Sequence, residues 1–339
     1  MATEFVDLAQ SPAELLAVFV ALGLARETEV PVIETLTGGV SSGISRVQVS
    51  SGNYCLKQAL PQLKVAKEWL VPVERVYAEI AWLKTVGEIV PGNVPKVLGQ
   101  DDASKSFVME YLPGNYRNWK AELLQGRAEP DVAQAVGDIL GKIHAATAKS
   151  ASLAERFATD DNFYAIRLEP YLVEAGRSNP DLSAHLGQLV ERTRNTRSVL
   201  VHGDVSPKNI MLGPDGPVLL DAECAWYGDP AFDLAFCLNH FLLKASLLPQ
   251  ALPLFMQSFR AMTAAYMARV DFEPVDDLEH RTATLLPALT LARIDGKSPV
   301  EYLDESTRTR VRTASRFMLD NPSSRLEDIS QFWTKEFSV

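Results

Sequence analysis

The hydrophobic pattern divides the chain into a first third that alternates and a remainder that is mostly helical. Ser11, Pro12 and Glu14 stand at the N-cap, N1 and N3 positions of a predicted helix running to about Leu24. Val32 to Leu36 reads as a strand, and Thr37-Gly38-Gly39-Val40-Ser41-Ser42-Gly43 as a Gly/Ser turn. Ile44 to Val49 alternates apolar and polar, the period of a half-buried strand. After a Ser51-Gly52-Asn53 turn, Tyr54 to Lys57 forms a third strand. Together these predict an antiparallel meander. Val73 to Val86 takes the helical period, with Val73, Val76, Ile80 and Leu83 on one face and Glu79 on the same helix. Val94 to Val97 and Ser106 to Tyr111 are strand-like, and Leu112-Pro113-Gly114 breaks the pattern.

Beyond that break, Val132, Val136, Ile139, Leu140 and Ile143 mark a helix over Val132 to Ala146. Further helices are predicted near 168–175, 181–194, 231–245, 249–269 and 305–318. Strand signals in this part are confined to Ser198–Val201, Ile210–Leu212 and Val218–Asp221. The expected organisation is two domains, 1–112 and 113–339, hinged at Leu112-Pro113-Gly114.

Composition narrows the class. A chain of 339 residues with 47% hydrophobic and 22% charged positions can bury a large core. A net charge of −10 argues against a nucleic-acid-coating surface, which needs clustered Lys and Arg. Cys55, Cys224 and Cys237 form no CxxC pair, so a disulfide framework or zinc site is not expected. Three small core residues in a reducing compartment is the simpler reading, with Cys224 a candidate for reactivity. The apolar run Leu15 to Ala25 is too short to span a bilayer and no basic segment precedes it. A cytoplasmic location without membrane partners is expected, and nothing in the pattern sets an oligomeric state.

The chemistry concentrates in Val201-His202-Gly203-Asp204-Val205-Ser206-Pro207-Lys208-Asn209-Ile210, followed by Leu219-Leu220-Asp221-Ala222-Glu223 and Gly228-Asp229-Pro230-Ala231-Phe232-Asp233-Leu234. An Asp, an Asn and a second Asp in a strand-loop-strand frame are what phosphoryl transfer requires. One carboxylate orients the attacking hydroxyl, while an amide oxygen and another carboxylate hold Mg²⁺ on the phosphates. His-Gly-Asp, four residues, Asn, then Asp on the next strand resembles the phosphotransfer site of the aminoglycoside phosphotransferase and choline kinase superfamily. The resemblance is strong over about 200–240 and weaker over 33–150. Leu56-Lys57-Gln58-Ala59-Leu60-Pro61, Glu74-Arg75-Val76-Tyr77-Ala78-Glu79 and Asp221-Ala222-Glu223 are locally similar to methylthioribose kinases.

The resemblance implies an α+β, bilobal protein-kinase-like fold, with an antiparallel-sheet N-lobe and a mainly helical C-lobe. It implies an ATP- and Mg²⁺-dependent kinase acting on a small-molecule hydroxyl, a sugar or polyol. Asp204 would be the catalytic base or orienting group, and Lys208 a cation for the transferring phosphoryl group. Asn209 and Asp221 would be metal ligands, joined by Glu223 if the segment stays extended, since side chains then alternate. Lys57 would reach the α and β phosphates, paired with Glu79, with Glu74 as the competing partner. Gly38, Gly39, Ser41 and Ser42 would let backbone N–H groups approach the phosphates. Adenine would bond to the carbonyl of Glu110 and the amide of Leu112.

His202 and Asp233 are read as braces of the loop, and Asp229 as a turn residue. The acceptor is expected near Leu291-Ala292-Arg293-Ile294-Asp295-Gly296-Lys297, with Arg293, Trp226 and Tyr227 as candidates. The competing readings there are a helix end capped by Gly296 and ordinary aromatic packing. Methylthioribose and aminoglycoside kinases are the rivals in class, and a nucleotide-binding regulatory pseudokinase the rival outside it. A protein kinase is disfavoured, because Asp221 is followed by Ala222-Glu223 and no room remains for an activation segment.

Overall fold

The structure is a computed structural model that describes residues 5–36, 42–60 and 74–338. The chain separates into two compact units, Met1–Gly114 and Asn115–Val339. In the first, α1 (Pro12–Ala21) precedes β1 (Val32–Thr35), β2 (Ser42–Val49) and β3 (Gly52–Ala59). Next come α2 (Arg75–Ile89), β4 (Val97–Asp101) and β5 (Ser106–Glu110). The five strands form one antiparallel sheet in the order β1-β2-β3-β5-β4. Alternation explains the register: Val47, Val49 and Leu56 face Leu15 and Phe19 of α1 in a common core with Val108. Ser11 caps α1 without a side-chain hydrogen bond, and the helix ends at Ala21.

The second unit opens with β6 (Arg117–Asn118), α3 (Trp119–Leu124), α4 (Pro130–Thr147), α5 (Ala151–Arg156) and α6 (Asp160–Phe163). A π-helix then spans Tyr164–Val173 with Pro170 inside it. It leads into α7 (Glu174–Ser178) and α8 (Ser183–Asn195). Four short strands follow: β7 (Val199–Val201), β8 (Ile210–Gly213), β9 (Gly216–Leu219) and β10 (Trp226–Gly228). The chain ends in α9 (Pro230–Leu247), α10 (Leu252–Met267), α11 (Val275–Asp295), α12 (Glu305–Asp320) and α13 (Leu326–Phe337).

Helix α9 is the axis of this unit: every residue from Pro230 to Ser246 is buried. Most of its circumference is apolar because other elements enclose it, with Asp233, Asn239, His240 and Lys244 among the buried exceptions. Glycine at Gly137 lets α4 approach α10, since a Cβ there would collide with the Met262 carbonyl. Among the described residues no helix is long and apolar enough to cross a membrane.

Candidate active site

The catalytic-loop candidates sit between β7 and β8, and the end of β9 runs beside them. Backbone bonds fix the frame: Leu220 N–H donates to Asn209 O at 2.9 Å, and Ile210 pairs with Leu219. Asp233, in the first turn of α9, accepts from His202 N at 2.7 Å and from Gly203 N at 2.8 Å. His202 Nδ1 accepts from Asp204 N at 3.1 Å, which places its proton on Nε2, 3.1 Å from Leu220 O. Burial lowers the His202 pKa, so the ring stays neutral in this brace. His202 and Asp233 thus hold the loop through its backbone, as their sequence context implied. Asp229 caps α9 through Ala231 N and lies 3.2 Å from Arg281.

Gly203 is required by this geometry. Its φ is +79°, and a Cβ would lie 2.6 Å from Cys224 O. Gly203→Ala is expected to destabilise the protein by about 1–3 kcal/mol, from backbone strain and the collision. Urea unfolding measures this; a change within about 0.5 kcal/mol, the range of neutral surface substitutions, would show that the loop relaxes freely.

Asp204 is 3% exposed, and two cations converge on its Oδ2. Arg167 Nη2 lies at 2.7 Å and Lys208 Nζ at 3.2 Å. Among the described residues Oδ1 has no donor. Burial pushes the carboxyl upward, but Arg167 and then Lys208 offset this and hold it below the usual carboxylate range. Lys208 is itself raised, chiefly by Asp204, with its side chain 46% exposed. Arg167 was not anticipated from the sequence. It lies on the π-helix, donates from Nε to Gly203 O and from Nη1 to Ile166 O, each at 2.6 Å, and is nearly fully buried. Irregular helices of this kind recur at functional sites, where the extra residue per turn re-aims side chains.

Asn209 Nδ2 donates to Asp204 O at 3.1 Å, so its amide oxygen faces away from that carbonyl. Asp221 has φ +66°, an unusual state that Asp tolerates. This overturns the extended geometry expected for Asp221 to Glu223. Ala225 N bonds to Ala222 O in a turn, and the Glu223 carbonyl accepts from Asn162. Simple alternation therefore gives no reason to aim Glu223 with Asp221, although the Glu223 charge is still felt at Arg167.

Within the first unit, Lys57 Nζ meets Glu79 Oε1 at 2.8 Å, with both side chains almost wholly buried. Glu74 is exposed at the N-cap of α2. Gly38, Gly39 and Ser41 lie outside the described residues, while Ser42 opens β2 opposite Ala59 and is buried. Glu110 ends β5 with its N–H on Lys96 O, and Leu112 N–H has no partner among the described residues.

Two acceptor candidates are corrected. Trp226 is 1% exposed and stacks on Phe163 at 4.3 Å, while Tyr227 Oη is bonded to Ser150 N and to the carbonyls of Thr147 and Ser198. Both belong to the core, because β10 pairs with β7 inside the unit. Arg293 is half-buried, reaches Tyr171 Oη at 3.3 Å and also bonds the Ser298 carbonyl. Gly296 does follow the helix end, but its φ of −82° is not left-handed; close approach to Ala292 O and Pro170 O is what a side chain would disturb. Cys224 is fully buried and its thiol is raised well above its ordinary value by burial, which makes it inert. A cavity of about 490 Å³ lined by Tyr164, Leu172, Leu186 and Val190 includes none of the site residues.

The fold is kinase-like and α+β. A Plasmodium vivax ethanolamine kinase superposes with a TM-score of 0.58 at 14% identity, covering 93% of this chain and 95% of that one. A choline kinase from Cryptosporidium parvum Iowa II gives 0.55 at 12% identity, covering 94% and 99%. The chain belongs to the phosphotransferase enzyme family, whose model matches residues 32–272. It is 28% identical over 240 residues to the methylthioribose kinase of Yersinia pseudotuberculosis serotype O:3 (strain YPIII), covering 62% of this chain and 56% of that one. The chain therefore spans little more than half the length of the curated relatives it matches.

Proposed function

We propose that the protein is an ATP- and Mg²⁺-dependent kinase that phosphorylates a hydroxyl of a small-molecule metabolite, a sugar or polyol. The observation that carries this reading is Asp204: a buried carboxylate with two cations on Oδ2 and Oδ1 left for an acceptor hydroxyl. Its low pKa suits orientation rather than strong base chemistry. The hydroxyl donates to Oδ1, its oxygen forms the new O–P bond, and the bond from the γ-phosphorus to the β,γ-bridging oxygen breaks. ADP leaves with the electron pair, and Asp204 takes the proton as the attacking oxygen becomes acidic.

The donor set fits Mg²⁺. Asn209 commits its Nδ2 to the Asp204 carbonyl and keeps an oxygen, and Asp221 lies one residue past the Leu220–Asn209 bond. Among the described residues no group of three His, Cys, Asp or Glu side chains could hold a metal alone, so the remaining ligands would be phosphate oxygens and water. Mg²⁺ there would neutralise charge on the phosphates. In the first unit, the Lys57–Glu79 pair supports a role for Lys57 at the α and β phosphates, and the Leu112 N–H supports adenine bonding at the end of β5.

A coupled ADP-release screen over pentoses, methylthioribose, other polyols, amino alcohols, hydroxy acids and aminoglycosides tests the reading. Asp204→Asn is expected to lower turnover by about 10²–10⁴-fold. Retained turnover in that variant would remove Asp204 from the reaction. Methylthioribose as the best acceptor would establish the second reading, which the Yersinia relative favours.

A further inference from the structure

The phosphotransfer reading leaves a second group of cations unused. Lys244 and His240 lie one turn apart on α9 and are 1% and 7% exposed. Lys244 Nζ is 3.5 Å from His240 Nδ1 and 5.2 Å from the Tyr302 ring centroid, and has no ion-pair partner among the described residues. With Lys244 donating to Nδ1, the His240 proton sits on Nε2, which is buried without a partner. Arg293 Nε and Tyr302 Oη are orphaned in the same way. Buried donors without acceptors are costly and scarce, so four neighbouring side chains with unmet donors call for a cause. The nearby carboxylate of Glu301 is held by Lys120 at 2.6 Å.

This group is continuous with Asp204. Arg167 bonds Asp204 and lies 6.0 Å from the Tyr171 ring, and Arg293 lies 5.7 Å from the same ring. Tyr171 packs on Phe236, which packs edge-on against His240. A polycation would be repelled here, and a neutral polyol would supply no charge to the amine. An oxyanion would supply both the counter-charge and the acceptors that these donors lack.

We infer that the acceptor carries an oxyanion, a carboxylate or a phosphate ester, held by Lys244, Arg293 and His240 with Lys120 beside them. The inference rests on the kinase reading for the word acceptor, but the anion site stands on its own geometry. Burial, with Lys120 and Arg293, lowers Lys244 to about 7, so an arriving anion would complete its protonation.

The test uses the whole protein and four probes with a shared carbon frame: glycerol, glycerate, glycerol 3-phosphate and 3-amino-1,2-propanediol. Thermal shift and calorimetry read binding, and ADP release with Mg-ATP reads turnover. Glycerate or glycerol 3-phosphate is expected to bind, with the better one identifying the source of the anion. Lys244→Met and Arg293→Gln are each expected to weaken that binding by about tenfold or more, and to raise KM for the anion more than they lower kcat. Equal binding of glycerol or the amine, no anion response at tens of millimolar, or an unchanged response in both variants would overturn the inference. Mg-ATP binding and the sensitivity of ADP release to Asp204→Asn bear only on the kinase reading. Their failure beside an intact, Lys244-dependent anion response sinks that reading and leaves the anion site.

Discussion

Arg167→Met is expected to cost about 3–5 kcal/mol of folding stability and to reduce turnover by about 10²-fold or more. The substitution keeps volume and removes one partner of a buried pair. Arg167 makes three short polar contacts, to Asp204 Oδ2, Gly203 O and Ile166 O. Without it the Asp204 carboxylate remains buried with only the half-exposed Lys208 as a counter-charge. Burial then dominates, and the carboxyl rises from its depressed value. The same change releases the Gly203 carbonyl, so the loop loses both a charge and an anchor. Arg167 acts through Asp204, so it is a positioning residue. The kcat should therefore fall with little change in KM for ATP, and Arg167→Lys should restore part of the activity but not the second bond to the backbone. Urea unfolding and steady-state kinetics on both variants check this. A stability loss below about 1 kcal/mol would mean that the pair is exchanged for water at little net cost.

What the sequence disclosed and what it hid follow from distance along the chain. The meander over β1 to β3 was legible because alternation and Gly/Ser turns are local, and the Lys57–Glu79 pair follows from a strand and the helix after it. The candidate group of Asp204, Asn209 and Asp221 could be picked out because the three fall within one short stretch. Arg167 was hidden because its partner is 37 positions away by number and a charged residue inside an apolar helical run looks like a surface position. Pro170 also obscured the π-helix, since a proline normally ends a helical pattern. Lys244 and His240 were read only as part of a helix near 231–245. Nothing in their spacing reports that α9 is enclosed on all sides. The pattern marks only the end of α11, before Gly296, and gives no signal for α13. Glu223 was paired with Asp221 by alternation, a rule that the positive φ of Asp221 breaks.

Lys244→Met should stabilise the ligand-free protein near neutral pH, by about 2 kcal/mol, while weakening anion binding. The sign follows from the proton balance. Burial first, then Lys120 and Arg293, lower the Lys244 amine to about 7, with Cys237 and Glu301 acting weakly the other way and neutral His240 beside it. An unfolded lysine titrates near about 10.4. Below about pH 7 both states carry the proton, and the buried ammonium exerts its full unfavourable effect. Between the two values the unfolded chain binds more protons than the native one, so the wild type gains stability as pH rises. The advantage of Lys244→Met should therefore be greatest and flat below about pH 7, and shrink steadily towards about pH 10. Taking the difference between variant and wild type at each pH cancels the other titrating groups. Destabilisation by methionine at every pH would identify Lys244 as a structural donor, and a difference independent of pH would mean that the amine does not titrate in this range. Stabilisation together with lost anion binding is the signature of a buried charge retained for a ligand, because no folding advantage would then account for it.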